Sequence, residues 1–156
     1  MSDTDIRVLN SLAATLKDSI DGYQESAEGA SERFASIFRQ RAQERQQVLS
    51  QLQSEVSRMG GNPEEDGTLL AAGHRAFLDL KAAVTGRDDK AIINEVERGE
   101  DYLKEKFETA LASDSLSADT RSAIQQAYSS VRRGHDEVRN LKQSMEGTSA
   151  SSGSSY

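Results

Sequence analysis

Residues 31–63 read SERFASIFRQRAQERQQVLSQLQSEVSRMGGNP. Phe34, Ile37, Phe38, Val48, Leu49, Leu52, Val56 and Met59 recur at three- and four-residue spacing, which places them on one face of a helix. Ser31 stands before the run as an N-cap, and Gly60 follows Met59 where a left-handed residue ends a helix. Pro63, the one proline of the chain, closes the turn Gly60-Gly61-Asn62-Pro63. The apolar stripe is interrupted in its middle, where Arg41 and Arg45 take the inward positions between Phe38 and Val48. An amphipathic helix of this length draws its stability from packing on other helices, and its two inward arginines must be paired there.

Upstream, a first helix begins after Ser2, Asp3 or Thr4 and runs to about Glu28, with Leu9, Leu12, Ala13, Leu16, Ile20, Tyr23 and Ala27 as its stripe. Gly29 ends it. Downstream of the turn, Thr68 caps a shorter helix to about Val84, with Leu70, Gly73, Phe77, Leu80 and Val84 inward; Thr85-Gly86 breaks it. A further helix opens at Asp88 or Asp89 and runs to about Leu111, carrying Ile92, Val96, Leu103, Phe107, Ala110 and Leu111. Ser115 and Ser117 mark the next turn. The last helix spans about Ala118 to Met145, with Ile124, Ala127, Tyr128, Val131, Val138 and Leu141 inward. Residues 147–156, GTSASSGSSY, have nothing to bury and read as a disordered Gly/Ser-rich tail, leaving 1–146 as one domain.

No stretch alternates as a strand does, so the fold class is all-α. Four long amphipathic helices make a four-helix bundle. The shorter helix decides its topology: at about 1.5 Å per residue it covers roughly 25 Å, enough to carry the chain back along the bundle. Helices 1 and 2 then form one antiparallel hairpin and the last two another, with a helical crossover between helices 2 and 3 of the bundle. One long crossover is the ferritin-like arrangement.

Composition narrows the function. The 156-residue chain carries 26 acidic and 19 basic residues for a net charge of −7, and it has no Cys and no Trp. Disulfide, zinc–thiolate and cysteine-nucleophile chemistry are excluded, and a cytoplasmic location is expected. An acidic chain without a Lys- or Arg-rich arm is not built for nucleic acid. No apolar run is long enough to span a membrane, and the start MSDTDIRVLN reads as no secretory leader. The charge is uneven: residues 1–30 and 88–113 each carry −4, whereas 31–59 carry +2 and 114–156 balance.

Several strings stand out together: Asp21-Gly22-Tyr23, Met59-Gly60-Gly61-Asn62-Pro63-Glu64, His74-Arg75-Ala76-Phe77-Leu78-Asp79-Leu80-Lys81, Glu97-Arg98-Gly99-Glu100-Asp101 and Gly134-His135-Asp136-Glu137-Val138-Arg139. In this order, across about residues 5–143, the chain resembles a proteobacterial family of ferritin-like four-helix-bundle proteins known as a domain of unknown function. The resemblance implies a fold and a bacterial cytoplasmic setting. It implies no reaction.

The fold raises the question of a di-metal centre, which needs Glu-x-x-His on two helices and inward Glu on the other two. Ala71 stands three before His74 and Arg132 three before His135, so neither histidine makes the motif. On the first helix Asp18 and Glu25 project nearly opposite the stripe, and Leu16 takes the central inward position. Polar residues do enter the other stripes. Arg41 and Arg45 lie on the second helix, Glu100 between Val96 and Leu103, and His135 between Val131 and Val138, with the last three at similar mid-bundle height.

Two readings follow. In one, these four residues form a structural polar layer in which Glu100 accepts from Arg45 or Arg41 and His135 completes the network. In the other, Glu100 and His135 hold a metal, iron or manganese, or the arginines favour a small anion; further ligands would come from Glu28, Glu44, Glu55 or Glu97. The acidic clusters Asp88-Asp89 and Glu64-Glu65-Asp66 suit helix starts, where the dipole favours negative charge. No nucleophile sits beside a base, no phosphate-cradling loop appears, and catalysis is not expected. The leading expectation is a non-enzymatic bundle acting as a homo-oligomer or on a protein partner, without a cofactor, in a setting the ferritin-like analogy connects with stress. The alternative is an atypical carboxylate/His metal-binding protein or oxidase.

Overall fold

The computed structural model describes residues 3–63, 84–86 and 88–154, the last nine of these as backbone alone. Among them the long elements are α1 (Asp3–Gly29), α2 (Glu32–Arg58), α3 (Asp89–Leu111) and α4 (Ala118–Ser154). No strand occurs among the described residues, and no helix among them is long and apolar enough to cross a membrane. The short helix expected from Thr68, with His74 on it, lies outside the described residues up to Val84. α4 continues to Ser154, so the break expected after Met145 does not appear in the backbone.

The helix ends obey the local chemistry. Gly60 has φ +84°, Gly60 N–H donates to Ser57 O at 3.0 Å, and Gly61 N–H to Val56 O at 3.0 Å. Together these close α2 with a Schellman turn. Asp88 caps α3 by accepting from Lys90 N–H at 3.0 Å. Two caps come from neighbouring helices. Ser31 is the N-cap of α2 by position, but its hydroxyl makes no capping bond; its N–H instead donates to Asp89 Oδ1 at 2.9 Å. Buried Asp5 of α1 accepts from Ser117 N–H at 3.2 Å, at the start of α4. Arg121 closes the other side of that turn by donating to Leu111 O at 2.6 Å.

These contacts also set the helix directions. The start of α1, the end of α2 and the start of α4 meet at one end of the molecule, where Thr120 Oγ1 lies 3.9 Å from Met59 Sδ. The end of α1 and the starts of α2 and α3 meet at the other, where Asp89 bonds Ser31. Thus α1 is antiparallel to α2, α3 to α4, and α2 runs parallel to α3. α1 packs on α2 and α3, and α4 packs on α3 and α2. Residues 59–88 therefore join opposite ends, as the sequence requires of one long connection.

The core is the inner face of all four helices, including Leu9, Leu12, Leu16, Phe38, Leu52, Ile92, Leu103, Phe107, Ile124 and Val131. α1 departs from simple amphipathicity. Asp18, expected opposite the stripe in solvent, is 7% exposed, and Ala14 and Gly22 are buried as well. At its two ends α1 also meets the residues that flank the connection: Ile6 lies against Gly61 and Gly29 against Val84.

Candidate functional site

Arg45 leaves the middle of α2 and reaches across the core. Its Nη1 donates to Glu100 Oε2 at 2.7 Å and its Nη2 to Glu100 Oε1 at 2.5 Å, a bidentate pair with α3. Nη1 also donates to Ser19 Oγ of α1 at 2.8 Å, and Nη2 to Val131 O of α4 at 3.4 Å. One guanidinium therefore touches all four helices. The Arg45 side chain is 0% exposed and that of Glu100 2%, so the pair is shielded from bulk solvent.

The surroundings favour this charged state. Burial opposes the charge on Arg45, but the Glu100 carboxylate outweighs it and holds the guanidinium above its ordinary pKa. The Arg45 guanidinium carbon lies 5.7 Å from the centre of the Tyr23 ring, within cation–π range. Burial, reinforced by the charge of Glu100, pushes the Tyr23 hydroxyl well above its usual pKa. That hydroxyl lies near Glu100 without reaching hydrogen-bond geometry.

Arg41, one turn earlier on α2, is also buried, yet it turns to the rim. Its Nη1 donates to Glu44 at 2.6 and 3.0 Å, and its Nη2 pairs with Glu137 of α4. Both arginines pass over Gly134. A Cβ there would lie 2.5 Å from Arg45 Nη2 and 3.1 Å from Arg41 Cδ. Glycine is thus the residue that lets α4 approach the two side chains.

His135 is buried beside this layer but does not join it. Its Nε2 lies 2.6 Å from Asp101 Oδ1 and its Nδ1 3.3 Å from Asp136 Oδ1. His135, expected to complete the network around Glu100, meets the neighbouring Asp101 at the rim. Glu100 and Asp101 are consecutive on α3, about 100° apart, so one faces the core and the other the rim where His135 arrives. The contact belongs to a regular seam. Tyr128, His135 and Lys142, seven residues apart on α4, meet carboxylates of α3: Glu108 at 2.6 Å, Asp101 at 2.6 Å and Glu97 at 2.7 Å.

The same geometry tests the metal reading. Both carboxylate oxygens of Glu100 are taken by the guanidinium, and His135 is engaged elsewhere. Glu44 pairs with Arg41, Glu55 with Arg58 and Glu97 with Lys142. Among the described residues no group of three or more His, Asp or Glu side chains could hold a metal ion. A cation does not fit where a guanidinium already neutralises the one inward carboxylate of the layer.

A family model matches residues 4–113, which hold α2 and α3 entire and all of α1 but its first residue. The chain belongs to the family described as Domain of unknown function (DUF2383). No curated protein matches it. The DUF2383 match ends before α4, short of the residue 143 to which the resemblance extends. Within the DUF2383 segment lie Ser19, Tyr23, Arg41, Arg45, Glu100 and Asp101; beyond it, α4 adds the Val131 carbonyl, Gly134, His135 and Glu137. Of this site, the sequence did not reveal Ser19, Gly134, Asp101 or Glu137 as participants. Two signals were available: a glycine one turn after an inward valine, and the seven-residue spacing of Tyr128, His135 and Lys142.

Proposed function

We propose that the chain is a ferritin-like four-helix bundle of the bacterial cytoplasm, non-enzymatic and without a cofactor, that acts by assembly or by binding a protein partner in a stress setting. The observation that carries this reading is the content of the bundle centre. Where a metal-binding bundle of this topology needs converging carboxylates and histidines, Arg45 spends its donors on Glu100, Ser19 and the Val131 carbonyl. Such a layer fixes the relative height and rotation of four helices, because a one-turn slip would leave two buried charges unpaired. The antiparallel order, with one long connection between α2 and α3, is the arrangement of ferritin-like bundles. No side chain of the layer is left to act as a base: Glu100 is paired, and the Tyr23 hydroxyl is held in its protonated form.

The test is elemental analysis of protein purified without chelators, alongside its Glu100→Ala variant. The reading expects substoichiometric iron and manganese in both. Near-stoichiometric metal in the parent chain that disappears in Glu100→Ala would overturn it in favour of a metal-binding protein or oxidase.

A further inference from the structure

Residues 3–14 of α1 and 106–113 at the end of α3 line a cleft of about 770 Å³. Its apolar wall includes Ile6, Val8, Leu12, Ala14 and Ala110. Leu12, Ala14 and Ala110 are buried, whereas Ile6 and Val8 stay half-exposed beside the open volume. Size and lining are those of a small-molecule site, which occupies about 300–1,000 Å³ and joins apolar walls to a few polar groups.

Charge sets the kind of ligand. The chain carries −7 overall, yet the charged side chains among the described lining residues are Arg7, Lys106 and Asp3, a local balance of +1. Neither cation has an ion pair among the described residues. Asp3 stands one turn before Arg7 on α1 and offsets it, which leaves Lys106 as the cation without a carboxylate beside it in the cleft. Height places these groups. Ser19 and Glu100 both bond Arg45 and so mark one level on antiparallel α1 and α3. Counted from there, Lys106 is level with Ala13 and Ser113 with Ile6. Lys106 therefore stands at the inner end of the cleft and Arg7 at the outer end. Ser11 and Thr109 line the cleft within one turn of Lys106, and their hydroxyls can donate to an anion.

We propose that this cleft binds a small amphipathic carboxylate, its acid group at Lys106 and its apolar chain lying along α1 towards Ile6. The stretch of α1 that lines the cleft is about 17 Å long, which suits an extended chain. A bare inorganic anion would leave the apolar wall uncovered. An amphipathic cation would cover the wall but meet Lys106 and Arg7 as like charges. Only an apolar body with a negative head satisfies both parts of the lining.

The test is isothermal titration calorimetry of the full chain with dodecanoate and with dodecyltrimethylammonium, both below their micelle concentrations. Dodecanoate is expected to bind saturably at one site, and the cationic amphiphile about tenfold more weakly or less. Lys106→Glu should weaken dodecanoate about tenfold and strengthen the cation, an exchange of preference that a loss of packing would not produce. Thr109 is exposed, so Thr109→Trp can fill the cleft without disturbing the core, and it should weaken both ligands. Arg33→Glu, at the opposite end of the molecule, should change neither. Helical circular dichroism of each variant should match the parent. The proposal is overturned by an absence of saturable dodecanoate binding or by equal affinity for the two head groups. Binding that survives both Lys106→Glu and Thr109→Trp would overturn it as well, since the ligand would then sit elsewhere.

Discussion

Arg41 and Arg45 stand one turn apart on the same helix, both buried, and their fates differ. Arg45 points to the centre, where Glu100 is as deeply buried as itself. Arg41 points to the rim, where Glu44 and Glu137 have side chains 39% and 58% exposed. The lesson concerns the partner. When a buried cation loses an exposed carboxylate, water and neighbouring groups can take its place. When it loses a buried one, nothing can.

The largest effect should come from the centre. Glu100→Ala leaves the Arg45 guanidinium buried and unpaired, and Arg45→Leu leaves the Glu100 carboxylate so. Each should lower the urea-unfolding free energy by about 3–5 kcal/mol and weaken cooperativity. Gly134→Ala comes next, because its methyl would meet Arg45 Nη2 and Arg41 Cδ; about 1–3 kcal/mol of overpacking cost is expected, with more for Gly134→Val. If Gly134→Ala were neutral in urea, the two arginines would not lie against α4 as described.

Smaller effects belong to the rim and the ends. Arg41→Gln should cost about 1 kcal/mol or less at moderate salt, and that cost should shrink as salt is raised. A cost equal to that of Arg45→Leu would erase the distinction between centre and rim. Asp5→Asn should cost about 1 kcal/mol through the cap at the start of α4. It also has a pH signature. Burial raises the Asp5 pKa, but hydrogen bonds from Ser117 and Thr120 outweigh it and hold the carboxyl below its ordinary range. A folded-state pKa below the unfolded one gives stability that is present above the ordinary carboxylate range and lost as pH falls through the folded pKa. Urea midpoints between pH 7 and 3 should therefore fall more steeply in the parent chain than in Asp5→Asn.

What could be read from the sequence follows the same division. The four long helices, the left-handed Gly60 and the inward Arg45 and Glu100 were legible, because each is a local break in a periodic pattern. The partner of His135 was not. Glu100 and Asp101 are adjacent in sequence, and choosing between them depends on the rotation of α3 against α4. The burial of Asp18 was hidden for a related reason: helical spacing gives the angle of a side chain about its own helix but not what lies beyond it. Gly134 was visible as a string but silent as a cause, since its role exists only where two side chains from α2 cross it.

The central claim is that the Arg45–Glu100 pair is a structural tie whose two halves depend on each other. A double-mutant cycle in urea tests it most directly, with Arg45→Leu, Glu100→Leu and both together. The predicted result is two costly single variants and a double variant that regains most of the loss, because a well-packed apolar pair can replace a buried ion pair at little cost. Single variants that unfold like the parent, or a double variant whose loss is the sum of the two, would contradict it.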